Sequence, residues 1–133
     1  MELPAVRLWA AAFLALHGLV HLWYVVLSQG WVEIEDQMGW SGHSWLLSGV
    51  LGGETILGLG SVLYILVTVG FLAGAVGLAV GSPWWEWTVI AASVLSSVVI
   101  LALWDGEFTL LVEKGFVGVL LNVAIVGYVL FVR

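Results

Sequence analysis

Residues 5–28 read AVRLWAAAFLALHGLVHLWYVVLS. Over residues 5–27 the run is almost wholly apolar, and it exceeds the about 20 residues that one helical crossing of a bilayer core requires. Within it His17, His21, Tyr24 and Ser28 follow one another at intervals of four, three and four. That spacing places all four side chains on one face of an α-helix. Polar groups at bilayer depth are costly and normally turn toward a partner or a wet cavity, so the stripe marks where a site is expected.

The rest of the chain repeats the apolar pattern. Of 133 residues, 62% are hydrophobic and 9% charged, with a mean hydropathy of +1.15. A soluble domain carries about 25% charged residues. Breaks divide the chain into four spans, at about residues 5–27, 59–80, 84–104 and 113–131. Pro4 suits the first turn of the first span, and Gly81-Ser82-Pro83 ends the second. Trp84, Trp85 and Trp87 stand where an aromatic belt belongs, and Asp105-Gly106-Glu107 ends the third span. The outer segment, residues 28–58, is the one long polar connection. Its residues 45–51 are too short to cross and are expected to lie in the interface or fold back, with Gly52-Gly53-Glu54 as a break. The first 28 residues outlast a signal core, carry two histidines and precede no A-x-A-like site, so the segment is expected to remain as a helix. The expectation is an all-α polytopic membrane protein, residues 1–133 forming a single transmembrane domain: an antiparallel four-helix bundle with an outer interfacial segment.

Three basic residues against nine acidic ones exclude a nucleic-acid surface and a polybasic lipid-binding segment. There is no cysteine, hence no disulfide, thiol chemistry or Cys-based zinc site. With four spans, Arg7, Arg133 and the 81–83 turn share one side, and seven of the nine acids share the other with Lys114. The positive-inside rule then puts both termini in the cytoplasm, in a multi-pass protein of the cell membrane.

The candidate ligand-binding residues are His17, His21, Tyr24, Asp105 and Asn122, converging on a pocket in the outer half of the bilayer with His21 and Asp105 as a natural pair. A histidine pair at i and i+4 also holds one metal ion, which would need Asp105, Glu54 or His43 to complete its shell. Haem would take His17 or His21 plus a ligand from another helix. The plain alternative is that the histidines bond to neighbouring helices. Glu33, Glu35, Asp36, Glu107 and Glu113 read as a solvated acidic face. Gly70, Gly74, Gly77 and Gly81 form a side-chain-free groove for close helix packing, with the partner helix open between this chain and another subunit. Ser93, Ser96 and Ser97 are expected to bond back to carbonyls or to face the bundle interior. Trp31, Trp40 and Trp45 are interfacial anchors or an apolar lid. Nucleotide-binding glycine loops, G-x-S-x-G, H-E-x-x-H and lipidation cysteines are absent.

The order Leu16-His17-Gly18-Leu19-Val20-His21-Leu22, Gly70-Phe71, Trp84-Trp85, Trp104-Asp105-Gly106-x4-Leu111 and Asn122 resembles a group of small four-span membrane proteins of halophilic archaea and bacteria, over about residues 13–126. The group has no established activity, and some members form the membrane-embedded front of longer proteins. The resemblance implies the four-span architecture and the importance of His17, His21 and Asp105. This chain departs from it at Asp105-Gly106-Glu107, where the group has an acid-Ala pair before the glycine.

Three functional classes follow. The leading one is a non-catalytic ligand-binding or accessory subunit in the lipid bilayer, alone, as a homo-oligomer or in a larger membrane complex. The second is a membrane-embedded metal- or haem-dependent oxidoreductase using the same histidines. The third is a small oligomeric channel or transporter, with the glycine face as subunit interface. The sequence names no cofactor.

Overall fold

The computed structural model describes residues 4–29, 31, 42–109, 111–112 and 114–132. The expectations placed on Glu33, Glu35, Asp36, Trp40, Glu113 and Arg133, and on the side chain of Ser28, lie outside the described residues. Among the described residues all regular structure is helical: α1 (Pro4–Val20), α2 (Leu22–Ser28), α3 (Gly53–Val80), α4 (Trp85–Leu103) and α5 (Phe116–Phe131).

The expected first span divides at His21. There the backbone tightens, with His21 N–H donating to Gly18 O (3.1 Å) and Tyr24 N–H to His21 O (3.3 Å), both three residues back. The two helices still form one apolar rod, Pro4–Leu27, long enough to cross a membrane. α3 begins at Gly53, six residues before the expected start, because Gly52 is extended (φ −71°, ψ 158°) and is where the chain breaks. Gly58 and Gly60 continue the helix despite the roughly 1 kcal/mol that each glycine costs there. α3 is the central helix, packed on α1, α2 and α4, and that burial offsets the cost.

α3 ends in a Schellman motif: Ser82 N–H donates to Gly77 O (2.9 Å) and Gly81 N–H to Leu78 O (3.1 Å), with Gly81 left-handed at φ 76°. Pro83 follows, and α4 returns antiparallel along the glycine face. A Cβ on Gly74 would collide with Val89 Cγ2, and one on Gly70 would come within 3.0 Å of Ala92 Cβ. The partner of the groove, left open by the sequence, is thus α4 of this same chain. The channel reading loses the interface assigned to that face. A second close approach sits at Gly18, where a Cβ would stand 2.6 Å from Phe71 Cβ, bringing α1 onto α3.

Residues 42–52 fold back over the carbonyl end of α4, one of the two placements expected. Ser44 Oγ–H donates to Ala102 O (2.5 Å), Trp45 N–H to Trp104 O (2.8 Å) and Trp45 Nε1–H to Leu101 O (2.6 Å). These donors satisfy carbonyls that a helix end otherwise leaves without partners. α5 starts at Phe116, after left-handed Gly115 (φ 98°), and rests chiefly on α4.

The core has two apolar layers. One joins Leu14, Val67, Phe71, Leu78 and Val89; the other joins Tyr24, Ile56, Tyr64, Val99 and Leu103. Between them lies a polar belt. The outward faces, with Val62, Leu66, Val69 and Val76 on α3 and Val94 and Val98 on α4, are exposed and apolar. α3 and α4, like Pro4–Leu27, are long and apolar enough to cross a membrane, whereas α5 is a shorter apolar helix.

Candidate functional site

The belt is built on three helices. α1 and the tight turn at its end supply His17 and His21, α4 supplies Ser96 and Ser97, and α5 supplies Asn122. His17, His21, Ser96 and Asn122 are 8%, 3%, 0% and 1% exposed, so each polar atom needs a protein partner.

Their hydrogen bonds run in one direction, fixed by a backbone carbonyl. His21 Nδ1 lies 2.9 Å from His17 O and 3.2 Å from Gly18 O. A carbonyl only accepts, so Nδ1 carries the proton and, in the neutral ring, Nε2 carries the lone pair. Ser96 Oγ–H donates to that Nε2 at 2.6 Å. The serine oxygen, its proton committed, accepts from Asn122 Nδ2 at 2.9 Å, and Nδ2 also donates to Ser97 Oγ at 3.1 Å. This sets Asn122 Oδ1 toward His17, whose Nε2–H donates to it at 2.8 Å. Thr68 Oγ1–H adds α3 to the belt, shared between Gly18 O (3.0 Å) and Tyr64 O (2.9 Å). The carbonyls at the tightened turn are therefore taken up by side chains, which explains how the break at His21 is tolerated within an apolar bundle.

Phe71 floors the belt. Its ring meets His17 edge-on (4.8 Å, 83°) and stacks on His21 (5.7 Å, 23°). Aromatic pairs in these geometries add stabilisation beyond the area they bury.

Of the five expected ligand-binding residues, the structure joins His17, His21 and Asn122 directly. Tyr24 lies one layer away, stacked on Tyr64 (4.6 Å, 17°) with its hydroxyl toward Gly115. Asp105 is not the partner of His21. It pairs with Lys114 (2.8 Å) and accepts from Glu107 N–H (3.0 Å), while Lys114 Nζ also donates to Glu107 O (3.2 Å). The reason is distance: Asp105 is nine residues beyond Ser96, about 13 Å along a helix. The chain's single lysine is within reach instead.

The metal set is likewise not assembled. Both ring nitrogens of His21 and Nε2 of His17 are hydrogen-bonded, Asp105 is on Lys114, and Glu54 and His43 are exposed. Among the described residues no three of His, Cys, Asp and Glu come together.

Thr68 is not among the candidates that the sequence offers, and of the two placements expected for Ser96, back-bonding or the bundle interior, the structure shows the interior. Both are hydroxyls on apolar helices, level with the histidines once the helices are paired. No family model matches this chain, and neither a curated protein nor a solved structure matches it.

Proposed function

We propose that this chain is a small, non-catalytic integral membrane protein, an accessory or binding subunit of four antiparallel spans with both termini in the cytoplasm. The observation that carries the proposal is the buried belt, in which the imidazoles face side chains of neighbouring helices. Both nitrogens of His21 and Nε2 of His17 are joined through Ser96 and Asn122 between two apolar layers. Catalytic imidazoles need a lone pair or proton directed at a substrate. Here the imidazoles serve as connectors, holding α1, α4 and α5 at one depth. Such bonds average about 0.6 kcal/mol in membrane bundles, so three in series fix register more than they add stability.

α5 counts as the fourth span on the same ground. Its 16 residues make about 24 Å of helix, short of a bilayer core of about 30 Å. Asn122 nevertheless meets His17 and Ser96 at the centre of the bundle, and Phe116 N–H, at the start of α5, donates to Leu111 O. The four-span group that the sequence resembles has the same outline.

Purification in mild detergent, with metal content and visible absorption measured beside a His17→Ala/His21→Ala double variant, tests the proposal. The expected result is a colourless protein without stoichiometric metal in both forms. A metal or haem band present in the wild type and lost in the double variant would overturn it in favour of the oxidoreductase.

A further inference from the structure

Away from the belt, where the first residues of α1 meet the α3–α4 turn, two recesses share a wall. An apolar cleft of about 290 Å³ opens between α1, α4 and α5, lined by Phe13, Leu14, Val89, Ala124 and Ile125 together with Leu78 and Trp85. A polar recess, also about 290 Å³, is lined by Arg7, Gly81, Ser82, Pro83 and Glu86 and by the same Leu78 and Trp85. The two adjoin at those side chains.

The polar end holds a cation short of an acceptor. Arg7 Nε is buried and has no hydrogen-bond partner among the described residues. Its guanidinium lies against the turn, with Nη1 3.2 Å from where a Cβ on Gly81 would stand. Glu86 also lines the recess and has an interaction of its own. A buried guanidinium N–H without an acceptor is expensive, and the oxygens of phosphate match its geometry well. Trp9, Trp84 and Trp87 are exposed around this end, as aromatic residues are at headgroup depth. From there the cleft leads toward the bilayer interior with an apolar lining.

From this geometry we infer that the composite recess holds a phospholipid, its phosphate on Arg7 and Ser82 and one acyl chain in the cleft between α1 and α5. The inference rests on the membrane reading above. α5 rests mainly on α4, and the chain fills the space beside α1 that the protein leaves open. The lipid is a resident part of the bundle rather than passing solvent, because charge and cavity select it together.

The test is retained phospholipid, measured as phosphorus per chain and by native mass spectrometry, after reconstitution with equal phosphatidylglycerol and diacylglycerol and extraction into detergent. Wild type, Arg7→Gln and Ala124→Trp are compared, the last filling the cleft. The wild type is expected to keep one phospholipid per chain and to exclude diacylglycerol. Inorganic phosphate should fail to displace it, whereas displacement would mean a free-phosphate site and overturn the proposal. Each variant, with unchanged helical circular dichroism, should retain about tenfold less. Equal retention by all three proteins would overturn it. Carbonate extraction is scored first: a chain released from membranes overturns the membrane reading as well, whereas one that stays and retains no phospholipid overturns this inference alone.

Discussion

His17 and Asn122 are 105 residues apart and meet at 2.8 Å, with the protons of the whole belt ordered by a carbonyl four residues from His21. Removing either partner leaves the other buried without its bond, so single substitutions overstate what the contact contributes. A double-mutant cycle with His17→Ala, Asn122→Ala and the pair, read as unfolding free energy in detergent, isolates it. The expected coupling lies between about 0.6 and 1.7 kcal/mol. Additivity within about 0.3 kcal/mol would mean that the two side chains are neighbours without an energetic bond. Asp105 teaches the complementary lesson. Its placement after Trp104 suggested a histidine, but a carboxylate at a helix end pairs with whatever cation the next turn delivers, and here that is Lys114.

The glycine face of α3 shows how elements find each other. Gly70, Gly74 and Gly77 let α4 approach until Ala92, Val89 and Trp84 fill the space. Gly74→Leu should therefore destabilise the folded chain by about 1–3 kcal/mol or more, since overpacking forces side chains and backbone apart. Thermal unfolding in detergent measures this, and the monomer-to-oligomer ratio should stay unchanged because the face is internal. Periodicity made the helices and the glycine stripe legible, since both depend only on spacing along one element. It also picked out His17, His21 and Asn122 as polar residues on apolar helices. It missed the division at His21, because a side chain that bonds back to its own helix leaves no mark in an apolar pattern. Whether Ser96 would answer His21, or Asp105 would, depends on how α4 is set against α1, and no single segment records that.

Across the whole molecule, two apolar layers enclose the belt, residues 42–52 cap one end of α4, and exposed valines and leucines cover the outside. Such a surface suits lipid, since soluble monomers rarely expose apolar patches of more than a few hundred Å². In the four-span bundle α5 crosses the bilayer beside α4, which would bring Phe131 to the same side as the Ser82 turn and leave Phe108 on the other. The chain has no native cysteine, so single cysteines report cleanly. The most direct measurement is labelling of Ser82→Cys, Phe108→Cys and Phe131→Cys by a membrane-impermeant maleimide in sealed vesicles of known orientation. Ser82→Cys and Phe131→Cys should react only from the cytoplasmic side and Phe108→Cys only from the outside. Phe131→Cys and Phe108→Cys reacting from one and the same side would contradict the four-span bundle.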